Sequence, residues 1–142
     1  RGRVPRRVVR VALDTNVLAS AIGTRGLCAD VLRVVLLEHE LVIGEFVLLE
    51  LRRNLEKKFR LTPEVIAEFE ALLRTQALIG RAGTAMEIAG VDRNDARVLA
   101  EALAANAEVF ITGDGQLQAL GDRAPLPVLS PRQFWEFLYA EG

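Results

Sequence analysis

The chain has 142 residues and a mass of 15.6 kDa, which suits a single domain with one core. Apolar residues make up 51% and charged residues 26%, a balance that excludes disordered, collagen-like and low-complexity proteins. The formal net charge is −1, so the average charge alone gives no sign of a nucleic-acid partner. We expect one domain over 1–142, with a basic tail over 1–7.

Cysteine usage and hydropathy bound the cellular setting. Cys28 is the only cysteine in the sequence, which suits a reducing cytoplasm. No apolar run approaches the roughly 18 residues that indicate a membrane span. The apolar stretch 8–13 stops at Asp14 and is too short for a signal peptide. The sequence therefore predicts a cytoplasmic protein without a membrane partner.

The predicted elements alternate between strands and helices. Residues 8–13 are nearly all apolar and β-branched, which predicts a buried parallel strand that ends at the turn and cap formers Asp14, Thr15 and Asn16. Helical spacing and short apolar runs then predict a helix over 27–39, a strand over 41–43 and a helix over 45–60.

The second half continues this pattern. Thr62 and Pro63 are typical of a helix start, and that helix extends to about residue 75. Ser130 and Gln133 have the spacing of a capping box and begin a final helix to about 139. Between them we expect a short strand within the ambiguous stretch 77–83, a helix over 92–105, a strand over 109–112, one or two helical turns over 116–120 and a strand over 126–129.

Strands alternating with helices predict βαβ units. We therefore expect a doubly wound α/β fold, with a mostly parallel sheet and helices on both faces. In such sheets ligands bind at the carboxyl ends of the strands, which is where chemistry is expected.

Aspartates follow two of the predicted strands. Asp14 follows the first strand and Asp114 follows the strand over 109–112, so both lie at the same edge of a parallel sheet. Each has a plainer explanation when taken alone. Asp14 is a good helix cap, and Asp114 with the following glycine is a common turn pair.

Two further carboxylates have weaker individual signals. Asp95 lies at the start of the apolar stripe of its helix, which predicts that it points inward. An equally good explanation is that Asp92 caps the helix and Asp95, at the third helical position, is stabilised by the helix dipole. Glu50 flanks the apolar face of its helix, although a solvated pair with Arg53 is an alternative.

The four acids carry more weight together than separately. Carboxylates about 4–5 Å apart repel by roughly 4 kcal/mol at an effective dielectric near 20, so a cluster requires protons or a cation. An all-carboxylate set without histidine or cysteine suits a hard ion, Mg²⁺ or Mn²⁺. Metal-assisted phosphoryl transfer is the usual chemistry of such a site.

These residues resemble the PIN-domain family. The resemblance rests on residues 14–16 after the first strand, Glu50, Asp95, and residues 112–114 with Leu117. The stretches 48–55 and 130–134 are similar to the VapC-like branch, the toxins of toxin–antitoxin systems. The likeness spans about 8–138. One departure is at Gly44 and Glu45, where relatives often have serine or threonine ahead of this helix.

The resemblance implies a Mg²⁺- or Mn²⁺-dependent ribonuclease that leaves a 3′-hydroxyl and a 5′-phosphate. It implies one or two metal ions, a homodimer or higher assembly, and an antitoxin that covers the site. The implied catalytic and metal-binding residues are Asp14, Glu50, Asp95 and Asp114. The implied supporting residues are Asn16 and Thr112, and Asp92 is a possible outer acid.

Other functional classes fit less well. The chain has no Walker A pattern and no GxGxxG after its first strand, which excludes those nucleotide-binding motifs. A response-regulator receiver would need a lysine late in the chain, and none occurs after Lys58. A non-catalytic PIN-like scaffold or RNA-binding module stays open, as does a nuclease of general RNA processing without an antitoxin.

The near-zero net charge conceals two basic stretches. Ten of the eighteen cationic residues lie within 1–10 and 52–60. With the four candidate carboxylates on metal, 15 acidic residues remain against 18 basic ones. Basic stretches on either side of a metal centre attract phosphate. The alternative interpretation is that the first stretch is a flexible tail and the second a solvated helix face. The candidate RNA contacts are Arg7, Arg10, Arg52, Arg53, Lys57 and Lys58.

Overall fold

The computed structural model describes residues 7–82 and 86–140. In this part of the chain, five strands form one parallel sheet in the order β3-β2-β1-β4-β5. The strands are β1 Arg10–Leu13, β2 Glu40–Gly44, β3 Ala77–Gly80, β4 Val109–Ile111 and β5 Val128–Leu129. The helices are α1 Thr15–Gly23, α2 Leu27–Glu38, α3 Glu45–Lys57, α4 Pro63–Gln76, α5 Arg93–Ala104, α6 Gly115–Gln118 and α7 Pro131–Tyr139, with a 3-10 turn at Gly121–Arg123.

The strand order reverses at β1. From β1 the chain adds β2 and β3 on one side and then returns to add β4 and β5 on the other. Val11 pairs with Val109 and Leu13 with Ile111, so the β1 and β4 carboxyl ends lie side by side. A crevice at such a switch point is the usual ligand site of an open parallel sheet.

Helices cover both faces of the sheet, as predicted. Successive residues of one strand point to opposite faces, and Val11, Ala12 and Leu13 are all buried. Phe110 in β4 and Phe134 in α7 are among the largest fully buried side chains. The doubly wound α/β prediction is confirmed.

Element boundaries differ from the prediction in a few places. The sequence did not reveal α1, because the polar residues 14–16 that cap it were interpreted as a turn. The helix predicted over 45–60 ends at Lys57, where Arg60 adopts a left-handed φ of 54° and the Leu61 amide donates back to the Leu55 carbonyl. The strand predicted over 126–129 contracts to its last two residues.

Parts of two predictions lie outside the described residues: positions 1–6 of the basic tail, and residue 83 at the end of the ambiguous stretch. No helix in the described ranges has the length and apolar character needed to cross a membrane.

Candidate active site

Asp14 lies where β1 passes into α1. Its backbone N–H donates to the Ile111 carbonyl at 2.9 Å, which extends the β1–β4 ladder by one residue. Its Oδ1 accepts a hydrogen bond from the Thr15 amide at 2.8 Å and caps α1. The residue is only 8% exposed, so this strand-to-helix junction holds a buried carboxylate at the sheet edge.

Asp114 lies at the equivalent junction after β4. Its Oδ1 accepts from the Gln116 amide at 2.8 Å and caps α6. Between the two aspartates lies the buried hydroxyl of Thr112, which accepts from the Asp114 amide at 3.0 Å and donates to Asp14 Oδ2 at 2.7 Å. The two aspartate-bearing strand ends are therefore joined through one side chain.

Asn16 makes a second link between the ends of β1 and β4. Its Oδ1 accepts from the Gly113 amide at 3.0 Å, and its Nδ2 donates to Asp14 Oδ2 at 3.4 Å. Gln118, which the sequence pattern did not indicate, donates from Nε2 to the Thr112 carbonyl at 2.7 Å. These bonds hold the segment 112–114 from both sides.

Asp95 lies in the first turn of α5, as predicted, and is partly buried. Burial raises the pKa of Asp95, and the negative charges of Asp114, Asp92 and Asp14 raise it further. Asp92 occupies the N-cap position of α5, but its side chain makes no capping hydrogen bond. The alternative explanation, in which Asp95 only supports a helix cap made by Asp92, is therefore not favoured, because Asp92 makes no such cap.

Glu50 approaches the site from α3. Its Oε1 accepts a hydrogen bond from the Thr15 hydroxyl at 3.0 Å, and Thr15 directly follows Asp14. Thr15 was not among the predicted site residues, because its role depends on a partner 35 positions away. Glu50 thus points toward the Asp14 end of the crevice.

The electrostatics of Asp14 identify a carboxylate cluster. Burial is the largest cause of the raised pKa of Asp14, and hydrogen bonds from Thr112 and Thr15 oppose it. The charges of Glu50 and Asp114 raise this pKa further. Perturbed acids in a crevice are typical of functional sites.

The donor chemistry of this crevice suits a hard divalent cation. In the described ranges, no three His, Cys, Asp or Glu side chains are grouped tightly enough, as placed, to hold one ion. Mg²⁺ does not need such a cage, because it keeps several waters and is usually bound through one or two carboxylates and substrate phosphates. The oxygen-only donors and their mutual repulsion therefore fit such an ion.

The N-terminal basic residues lie away from the aspartates. Arg7 forms an ion pair with Glu108 at 2.8 Å, and Arg10 forms one with Glu40 at 2.7 Å. Arg10 begins β1, whereas Asp14 follows its last residue, roughly 13 Å further along at 3.3 Å per residue. These two arginines thus belong to the amino edge of the sheet.

The basic residues of α3 divide into two groups. Arg52 pairs with Glu70 of α4 at 2.8 Å. Arg53 and Lys57 follow Glu50 by three and seven residues, which places them on the same side of the helix. Both are exposed, as is Lys58, and within the described residues these three have no ion-pair partner.

Sequence comparison decides the family. A family model described as "PIN domain" matches residues 10–116, about three quarters of the chain. The chain belongs to the PIN-domain family. No curated protein sequence matches it. The matched region contains all four candidate carboxylates, so the resemblance found in the sequence is confirmed at the level of the family.

Solved structures share the fold of this PIN domain. VapBC2 from Rickettsia felis, bound to a DNA fragment from its promoter, superposes with a TM-score of 0.62 at 18% identity, covering 85% of this chain and 98% of that one. VapBC-1 from nontypeable Haemophilus influenzae superposes with a TM-score of 0.58 at 20% identity, covering 87% of this chain and 98% of that one. PAE2754 from Pyrobaculum aerophilum superposes with a TM-score of 0.61 at 16% identity, covering 94% of this chain and 90% of that one.

Proposed function

We propose that this PIN-domain protein is a Mg²⁺- or Mn²⁺-dependent endoribonuclease that hydrolyses RNA phosphodiester bonds. The observation that carries the proposal is the gathering of Asp14, Asp95 and Asp114 at the switch point of the sheet, where the charge of Asp114 raises the pKa of the other two. Unneutralised carboxylates held together in this way destabilise a fold, so their arrangement favours a cation site over a structural role.

A scaffold without catalysis explains only part of this geometry. Helix capping accounts for the positions of Asp14 and Asp114. It does not account for Asp95, whose neighbours in the crevice are other acids, or for Glu50, which is held toward Asp14 by Thr15. The enzyme is therefore the better explanation of the complete set.

Four residues would hold the ion or ions: Asp14, Glu50, Asp95 and Asp114. When bound, a divalent cation supplies an activated water and neutralises charge on the scissile phosphate. Thr112 and Thr15 each donate to a different oxygen of Asp14, which fixes the plane of that carboxylate. Asn16 steadies the Gly113 backbone, and Asp92 adds negative charge beside Asp95 as an outer acid.

We assign the RNA approach to the α3 side of the site. Arg53, Lys57 and Lys58 are exposed cations without an ion-pair partner among the described residues, and two of them share the side of the helix that carries Glu50. Arg7, Arg10 and Arg52 are already neutralised by glutamates and contribute less. Free cations next to a metal centre attract the phosphates of a nucleic acid.

We further propose that the protein is a cytoplasmic toxin of a type II pair and binds a cognate antitoxin. The support is the shared fold with two VapBC structures and the VapC-like stretches of the sequence. A homodimer or higher homo-oligomer is supported by large apolar side chains left exposed, such as Leu37 and Phe137 at 75% and 58%. A nuclease of general RNA processing is the alternative if no antitoxin binds.

Cleavage of defined RNAs tests the function directly. Purified protein is incubated with tRNA, mRNA and single-stranded DNA, with Mn²⁺ or with EDTA, and the product ends are sequenced. We expect Mn²⁺-dependent cleavage of RNA that leaves 3′-hydroxyl and 5′-phosphate ends. Undiminished cleavage in EDTA would reject the metal-dependent mechanism. A protein that neither cleaves RNA nor gains thermal stability from millimolar Mn²⁺ would be a scaffold.

A further inference from the structure

A fifth acid, Glu101 of α5, lies outside the carboxylate site and is completely buried. Its Oε1 accepts a hydrogen bond from the Phe46 amide at 2.9 Å. Its Oε2 accepts from Arg97 Nε at 3.2 Å in an ion pair. Both oxygens therefore have donors, which a buried carboxylate needs in order to be tolerated.

The amide that Glu101 satisfies belongs to the first turn of α3. Such amides have no partner within their own helix and normally bond to the side chain of the N-cap residue. The N-cap of α3 is Gly44, which has no side chain to offer. Glu101 therefore caps α3 from a different helix. The Arg97 guanidinium lies 4.8 Å from the centre of the Phe46 ring and adds a second contact between the two helices.

Two glycines make room for this cap. A Cβ on Gly44 would lie 2.7 Å from Oε1 of Glu101, closer than van der Waals contact allows. Gly80, which pairs with Gly44 in the sheet register, lies against the backbone of Glu101, and a Cβ there would overlap its carbonyl oxygen. A serine at position 44 would therefore crowd Glu101, whose carboxylate would have to move away from the Phe46 amide.

The cap joins the two helices that carry candidate ligands. Phe46 lies one turn before Glu50 in α3, and Asp95 lies six residues before Glu101, about 9 Å along α5. We propose that Glu101 is a positioning residue, which ties α3 to α5 and so holds Glu50 and Asp95 at the separation that the cation site requires. This inference rests on the proposed function, because it assigns a role to Glu101 within that site.

The proposal is tested by replacing the cap that Glu101 provides from α5 with an ordinary N-cap side chain at position 44. Glu101→Ala removes the cap and the tie, whereas the double variant Gly44→Ser/Glu101→Ala restores a local cap without the tie. We expect the double variant to recover much of the thermal stability lost in Glu101→Ala. We expect both variants to bind Mn²⁺ about ten-fold more weakly than wild type, because the contact that sets the separation of Glu50 and Asp95 is lost. If Mn²⁺ affinity recovers together with stability, Glu101 is only structural and the proposal is wrong.

A second pair of variants covers the case in which the double variant does not fold. Glu101→Gln keeps an oxygen that accepts from Phe46, whereas Glu101→Met has similar length and no such oxygen. We expect Glu101→Gln to bind Mn²⁺ within about two-fold of wild type and Glu101→Met to bind it about ten-fold more weakly. Equal affinities in the two variants would overturn the proposal.

A crystal structure separates failure of this proposal from failure of the proposed function. If wild-type protein binds no Mn²⁺, the cation site itself is wrong, whatever Glu101 does. The Cα separation of Glu50 and Asp95 can still be compared between wild type and Glu101→Met. We expect it to change by more than the coordinate error, and an unchanged separation would remove the positioning role.

Discussion

The Thr112 hydroxyl donates a hydrogen bond of 2.7 Å to Oδ2 of Asp14, joining residues 98 positions apart in the chain. The same Thr112 hydroxyl oxygen accepts a hydrogen bond from the Asp114 amide at 3.0 Å, and this leaves the hydroxyl proton directed toward Asp14. The bond lowers the pKa of Asp14 against the effects of burial and neighbouring charge. One buried hydroxyl thus helps to keep Asp14 ionised, the form in which a carboxylate binds a cation.

We expect Thr112→Val to reduce both stability and cleavage. Valine has the shape of threonine but leaves the Asp114 amide without its acceptor and Asp14 Oδ2 with only the 3.4 Å bond from Asn16, which destabilises by about 1–3 kcal/mol. The metal-free pKa of Asp14 should rise, so Mn²⁺ binding should weaken most at acidic pH. Urea unfolding and Mn²⁺ titrations at pH 5.5 and 7.5 provide the measurement. Thr112→Ser is the control, and it should behave like wild type because it keeps the hydroxyl.

Asp14→Asn should abolish cleavage and leave the protein folded. The asparagine carbonyl oxygen can still accept the Thr15 amide bond that caps α1, but it removes a negative ligand. We expect at least a hundred-fold loss of RNA cleavage and loss of the Mn²⁺-induced rise in melting temperature. That rise reflects roughly 2.7 kcal/mol when the ion is present at 100 times its Kd.

A matched aspartate shows whether the effect of Asp14→Asn is specific. Asp30 lies on α2, where it pairs with the exposed Arg33. Asp30→Asn changes the net charge by the same amount and should retain cleavage and Mn²⁺ stabilisation. An Asp14→Asn protein with wild-type, metal-dependent activity would contradict the site assignment.

Removal of the free cations of α3 should weaken RNA binding in a salt-dependent way. In Arg53→Ala/Lys57→Ala we expect the slope of log affinity against log salt to decrease by about 0.7 for each phosphate that is no longer neutralised, the value for single strands. Binding of a catalytically inactive Asp14→Asn background to labelled RNA, from 50 to 300 mM salt, gives this slope. The neutralised Arg52 supplies the control variant Arg52→Ala, which should leave the slope nearly unchanged. Affinity that does not depend on salt would remove the basic approach from the proposal.

The pH dependence of metal-free stability should report the carboxylate cluster. The raised pKa of Asp95 means that the folded state binds a proton more tightly than the unfolded state, so charge on Asp95 reduces stability at neutral pH. We expect metal-free Asp95→Asn to melt a few degrees higher than wild type at pH 7. The difference should shrink as the pH falls through the raised folded-state pKa of Asp95 toward its ordinary value of 3.8, because wild-type Asp95 then takes up a proton. Melting curves between pH 4 and 7.5 measure it.

Glu70 provides a comparison of opposite sign. Burial raises the pKa of Glu70, but hydrogen bonds from Arg52 and Arg74 outweigh burial and lower it overall. Its contribution to stability is therefore present at neutral pH and is lost as the pH falls through the folded-state pKa. Glu70→Gln should melt lower than wild type at pH 7, again with the difference closing in acid. If both variants melted above wild type at pH 7, or both below it, the assignment of opposite pKa shifts would be contradicted.

The sequence was sufficient to predict the parallel sheet and the edge at which Asp14 and Asp114 lie. The strand predicted over 8–13 was detectable because its core residues are covered on both faces, although β1 begins only at Arg10 and Val8 is exposed. Ser130 with Gln133 forms the predicted capping box at 3.0 and 2.9 Å. Asp14 and Asp114 were locatable because parallel strands place their carboxyl ends at one edge. Local patterns were enough for these features.

Residues with distant partners were not predictable in the same way. The Thr15–Glu50 bond and the Phe46–Glu101 bond join positions 35 and 55 apart, so nothing in either local stretch identifies the pair. A signal for Glu101 was nevertheless present, since it interrupts the apolar stripe that contains Leu99 and Ala102. The second part of the signal was Gly44, an N-cap residue without a side chain, which leaves a first-turn amide of α3 to find another acceptor.

The crowding between a Cβ at position 44 and the Glu101 side chain also bears on how this chain can diverge from its relatives. A single substitution from one arrangement toward the other passes through a protein in which two caps compete for the same space, or through one with no cap. An alignment of relatives should accordingly show covariation: glycine at 44 accompanies an acid at 101, and a hydroxyl residue at 44 accompanies a small or apolar one.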